Sequence, residues 1–180
     1  ALIRVLGPIG DKRALCLLGT FLEDESSELR VSAIRALGQW PEPEMADELL
    51  KVAASSSDER EKVLALRGYI RLTGLESERP AAETVNMYKA AMGLASFASE
   101  KKMVLSGLGS VECIEAFDMA ASYLGDKELA EEAAAAVVKI GWKIYEGEPE
   151  KTRAAAKKVL EVSENKLTRA EAEELLEYID

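Results

Sequence analysis

The sequence predicts an all-α protein, a right-handed α-α superhelix of about five helical hairpins with no strand. Three observations predict it. A phrase of apolar residues spaced three and four apart, closed by glycine, returns along the chain. Alanine and leucine abound while aromatic residues make up only 6% of the 180, a balance suited to helices packed closely through small side chains. Proline, glycine and paired hydroxyl–carboxylate residues punctuate the chain at the places where such helices would start and stop.

In chain order, the first copy of the phrase is ALIRVLG from Ala1, followed by the helical stretch KRALCLLGTFL. The clearest copy is SELRVSAIRALGQW, residues 27–40, in which Leu29, Ala33, Ala36 and Leu37 share one face of a helix. Gly38 stands where a residue tolerant of left-handed backbone can close that helix, and Pro41 discourages continuation. WPEPEM then leads into MADELLKVAA, its prolines placed at a helix start. SSDE, Ser56 to Glu59, has capping-box spacing and opens the helix that carries LALRGYI from Leu64. TGLESERP, Thr73 to Pro80, is the most loop-like stretch, readable as a hinge or as a longer turn. Beyond it come ETVNMYKAAMGLA, MVLSGLG from Met103, IEAFDMAASYL and AAVVKIG from Ala135. The polar LTRAEAEELLEYID, with a second capping-box spacing at Thr168 to Glu171, ends the chain as a cap.

The closing positions Gly7, Gly38, Ile70, Gly109 and Gly141 are about 31, 32, 39 and 32 residues apart, with a second apolar helix inside each interval. The reading is therefore about eleven helices paired into hairpins. One hairpin cannot bury its apolar face alone, so neighbours stack and share a core.

The leucine-arginine, alanine-rich middle and closing leucine-glycine of LRVSAIRALG resemble HEAT repeats. VLGPIGDKRALCLLGTFLED is more particularly similar to the short bacterial HEAT-like repeats first named from phycobilisome lyases. The resemblance implies a single HEAT-like repeat domain over residues 1–180, the C-terminal part of a longer protein. It also implies a ladder between repeats formed by an aspartate ahead of each second helix and an arginine within it. Those positions hold Asp24 and Arg30, then Ser56 and Lys62, then Ala95 and Lys101, so the ladder fades along the chain. In such solenoids the second helices line the concave side, which carries the binding surface.

On those helices Arg35 lies two residues from both Ala33 and Leu37 and points away from the core. Arg4 and Arg67 hold the matching positions, with Gln39 and Arg71 one turn further on. A row of guanidinium groups suits carboxylate- or phosphate-bearing partners, although outward arginines also serve solubility alone. The row ends at Ser106 and Val138 in the later copies. Trp142 and Tyr145 read either as a contact patch or as packing for the last hairpin.

Chemistry has few footholds. The chain has no histidine, and SGLGSV lacks the lysine of a phosphate loop. Cys16 and Cys113 sit in apolar settings and read as small buried hydrophobes. We expect no catalytic residue, no metal and no cofactor. A net charge of −10, from 33 acidic and 23 basic residues, argues against a nucleic-acid partner, and no apolar run is long enough for a membrane partner. Nothing marks a bilin site like that of the lyase relatives the resemblance implies, and the acidic charge argues against its DNA-glycosylase relatives.

The expectation is thus a non-catalytic protein-interaction or scaffolding module. The alternative is an accessory domain of a larger bacterial enzyme, carbohydrate-related or lyase-like, with its chemistry elsewhere. Its partner is an acidic protein or another domain of the same polypeptide. Leu2, Leu6 and Ile9 leave the N-terminal end apolar, which also allows self-association there. Localisation stays open between bacterial cytoplasm and, after removal of a signal peptide, periplasm or secretion.

Overall fold

The computed structural model describes residues 3–179. Among them are eleven α-helices and no strand. In order they are α1 (Ile3–Ile9), α2 (Arg13–Phe21), α3 (Ser27–Leu37), α4 (Ala46–Ser55), α5 (Glu59–Thr73) and α6 (Ala81–Leu94). Then follow α7 (Ala98–Leu108), α8 (Ile114–Ala121), α9 (Ala130–Ile144), α10 (Pro149–Val162) and α11 (Lys166–Ile179). A short 3-10 turn, Pro43–Met45, precedes α4, where the WPEPEM prolines predict a helix start.

The chain's contacts divide it into two compact units. The first runs to residue 78 and takes in 89–96; the second holds 79–88 and everything from 97 onward. The first change of unit falls inside TGLESERP, and α6 contributes to both. In the first unit α1, α3 and α5 pack side by side, with α2 on α3 and α4 on α5. In the second, α7, α9 and α11 form the corresponding row, with α8 and α10 packed on α9.

The central helix of a row is covered on several sides, and its sequence is correspondingly apolar. In α3, Val31, Ala33, Ile34, Ala36 and Leu37 are all buried, a wider face than Leu29, Ala33, Ala36 and Leu37 alone describe. Leu29 is only half-buried. In α9, Ala133, Ala134, Ala136, Val137, Val138, Ile140 and Gly141 are buried in the same way.

The closing glycines have a different role from the one expected. Gly38 has φ −64 and Gly109 φ −57, both ordinary helical values. Among the described residues only Gly10 takes a positive φ, 68°. What the repeat glycines permit is close approach. A methyl group on Gly68 would lie 2.9 Å from Gly38 Cα, and one on Gly7 would collide with the Ala36 carbonyl. The repeat closes on glycine because neighbouring backbones cross there.

Two caps also lie elsewhere than the capping-box spacings suggest. Asp58 caps α5, accepting from the backbone N–H of Arg60 at 2.8 Å and of Glu61 at 3.4 Å. Ser56 Oγ instead donates to Glu61 Oε2 at 2.8 Å. Thr168 to Glu171 lies inside α11, whose start is capped by Asn165, with N–H donors at Leu167 and Thr168.

The ladder between repeats exists with a different acid. Arg30 Nη1 donates to the backbone carbonyls of Asp24 and Glu25, and its Nε reaches Glu61 Oε1 on the next row helix at 2.9 Å. The Asp24 carboxylate accepts from Ser26 N–H in its own loop. In the second unit Lys102 of α7 pairs with Glu132 of α9 at 3.2 Å. Glu61, Glu100 and Glu132 are each the third residue of a row helix, so the acid of the ladder recurs there rather than before the helix. Cys16 is exposed and Cys113 half-buried, so neither is the core residue its apolar neighbours suggest.

Candidate partner-binding face

Of the five sequence-selected residues, the first unit brings Arg4 and Arg35 within electrostatic reach of one another, and Arg67 stands on the next row helix. Arg4 on α1 and Arg67 on α5 are exposed, and Arg35 on α3 is half-buried between them in the row order. The α3 backbone cannot turn Arg35 elsewhere, since Ala33, Ile34, Ala36 and Leu37 around it are committed to packing. Its guanidinium is held below the ordinary arginine value, first by loss of water and then by the like charges of Arg4 and Arg60. Among the described residues none of Arg4, Arg35 and Arg60 forms an ion pair. The cluster is positive charge held in no ion pair, with Glu28 and Asp58 beside it.

Beside it lies an open cavity of about 330 Å³, lined by Arg4, Ser27, Glu28, Val31, Ser32, Asp58 and Arg60. It sits where the N-terminal ends of α3 and α5 meet the start of α1. Asp58 spends one carboxylate oxygen on capping α5.

The other two selected residues stand apart from that cluster. Gln39 is exposed just beyond α3, and its N–H donates to Ala36 O at 3.1 Å. Arg71 is half-buried and turned to structure: its Nη1 donates to Gly38 O at 3.2 Å and Trp40 O at 2.8 Å. It thereby closes the end of α3 from the next row helix. Arg60 is the residue the repeat alignment missed. The signal was present, because Arg60 is seven residues before Arg67 and so shares its helical face. The row's end at Val138 has a packing cause, since that side chain is wholly buried in α9.

Elsewhere, Trp142 and Tyr145 pack the last hairpin. Trp142 meets Tyr178 of α11 edge-on, ring centroids 5.2 Å apart, and Tyr145 stands 6.5 Å from the same ring. At the N-terminal end Val5, Ile9 and Leu17 are exposed and Leu6 is half-buried; Leu2 lies outside the described residues. Among the described residues no group of three or more Cys, Asp or Glu is placed to hold a metal ion. No described helix is long and apolar enough to cross a membrane.

Over its first part the chain agrees with a known repeat family. Residues 1–67 match the family described as HEAT repeats. The match carries the general family and not the finer likeness to phycobilisome-lyase-type repeats. No curated protein matches the chain. Among solved structures, human deoxyhypusine hydroxylase in complex with glycerol is similar at 17% identity, over 98% of this chain and 78% of that one, with a TM-score of 0.36. At so low a score the likeness gives no residue-level correspondence.

Proposed function

Residues 1–67 being HEAT repeats, we propose that the chain is a non-catalytic interaction or scaffolding module that holds an acidic protein partner on the arginine face of α1, α3 and α5. One observation carries the reading. Arg35 has two other arginines as its electrostatic neighbours and no carboxylate. Like charges held together raise the energy of the free protein, and an incoming anion removes that cost. Arginine suits the task because its planar fork can grip a carboxylate with two parallel hydrogen bonds. The face would serve equally if the partner were a catalytic domain of the same polypeptide, with the chemistry residing there.

The test is a double charge reversal. Arg35→Glu with Arg67→Glu should leave helical content and melting nearly unchanged, because both guanidinium groups lie outside the core. Affinity for a glutamate-rich peptide, measured by fluorescence anisotropy, should fall at least tenfold. Equal binding by the double variant removes this face from consideration.

A second arrangement, self-association through the N-terminal end, is supported by Val5, Ile9 and Leu17, which are 55%, 62% and 49% exposed. Large apolar side chains concentrated at one end suit a second copy of the chain. Ile9→Glu should then shift sedimentation of a concentrated sample toward the monomer. A wild type that stays monomeric at all concentrations rejects it.

A further inference from the structure

Deepening the reading just given, and resting on it, the geometry points to a receptor for a single phosphate monoester, borne on a serine or threonine of the protein partner, in the cavity lined by Arg4, Ser27, Ser32 and Arg60 beside Arg35. Two features select that ligand over a carboxylate, and a third selects it over longer anions.

The first is directional. Arg4, Arg35 and Arg60 come from three successive row helices, and Arg4 and Arg60, which line the cavity, both act on the charge of Arg35. A carboxylate is planar and is satisfied by one arginine. A phosphate monoester is tetrahedral, carries nearly two negative charges at neutral pH and presents three terminal oxygens to different donors. The second is the supply of neutral donors. Ser27 and Ser32 line the same cavity, and among the described residues neither hydroxyl is hydrogen-bonded within the protein.

The third is selectivity against longer anions. Glu28 and Asp58 also border the cavity, and the whole chain carries a net charge of −10. A run of phosphates would have to lie along those carboxylates, whereas a single phosphate group beside Arg4 and Arg60 meets Glu28 and Asp58 only once. A volume of about 330 Å³ matches the small end of ligand sites, enough for a phosphorylated side chain. The acids therefore admit a phosphoprotein and oppose nucleic acid.

The experiment follows arginine side-chain N–H signals of the full chain by NMR during titration with Gly-phosphoserine-Gly, Gly-Glu-Gly and inorganic phosphate at fixed ionic strength. The expected result is saturable movement of Arg4, Arg35 and Arg60 with phosphoserine, at least tenfold tighter than with glutamate, and tighter than with inorganic phosphate. Arg60→Ala should abolish the preference for phosphoserine, while Lys51→Ala, on α4 and outside the cavity, should keep it. Unmoved signals, an unchanged preference in Arg60→Ala, or inorganic phosphate binding more tightly than the tripeptide would each overturn the assignment. So would phosphoinositide vesicles that move these signals when the tripeptide does not. A glutamate-rich peptide that still binds through Arg35 and Arg67 would then leave the interaction face standing without the phosphate receptor. If that peptide fails too, both readings fall.

Discussion

Two arginines one row helix apart have opposite assignments. Arg71 donates to the carbonyls of Gly38 and Trp40, bonds between a charged donor and groups at a buried helix end. Arg71→Ala should lower stability by about 1–3 kcal/mol, read as a lower denaturant midpoint, while Arg35→Ala should leave the midpoint within about 0.5 kcal/mol. Glycines divide in the same way. A methyl on Gly68 would lie 2.9 Å from Gly38 Cα and 2.8 Å from Leu49 Cδ1, whereas a methyl on Gly19 meets nothing within 4 Å. Gly68→Ala should therefore cost about 1–3 kcal/mol through overpacking. Gly19→Ala, inside α2, should gain about 0.5–1 kcal/mol through backbone entropy. A shared sign for the two glycine variants would contradict the crossing-point account.

Between elements, row helices are tied by acid ladders that sequence alignment located only halfway. Arg30 was legible because it follows the leucine of the repeat phrase. Its partner was not, because Glu61 belongs to the following row helix and only folding brings it within 2.9 Å. The Glu61 side chain is 5% exposed and that of Arg30 26%, so Arg30→Met leaves a carboxylate in the interior with Ser56 alone. The expected loss is about 3 kcal/mol. The capping boxes failed for a related reason: Ser56 and Thr168 have the right spacing, but Asp58 and Asn165 stand closer to the free amides.

In the second unit Glu131 accepts from Ser163 Oγ and from Glu164 N–H, both at 2.6 Å. These bonds, with the Ser163 hydroxyl first, hold its carboxyl below the ordinary glutamate value. A lowered folded-state pKa contributes stability that is present above the unfolded value, about 4.3, and is lost as pH falls through the folded one. Melting followed from neutral pH down to pH 3 should show Glu131→Gln with a shallower acid slope than wild type. Parallel slopes would show that the bonds do not favour the charged form.

For the molecule as a whole, the all-helical architecture was readable because the apolar phrase recurs about every 31 to 39 residues, and nothing but stacked hairpins buries so many short apolar faces. The division into two units was less readable. It falls at the one long interval, in TGLESERP, which the sequence marks as loop without saying what changes there. The arginine row was readable in part, since repeat alignment aligns positions and not the side chains that converge on them. It found Arg4 and Arg35, grouped them with Arg71, and passed over Arg60. Charge sets the scale of what can bind: attraction at the arginine face acts over about 8 Å at physiological salt, so a net charge of −10 does not prevent a small acidic segment from docking there.

Hydrogen exchange with and without a saturating glutamate-rich peptide tests that face most directly. The account predicts slowed exchange at the starts of α1 and α5, around Arg4 and Arg60, and along α3 from Ser32 to Arg35, with α9 to α11 unchanged. Protection confined to α9 and α11, around Trp142 and Tyr178, with none near Arg35, would contradict it.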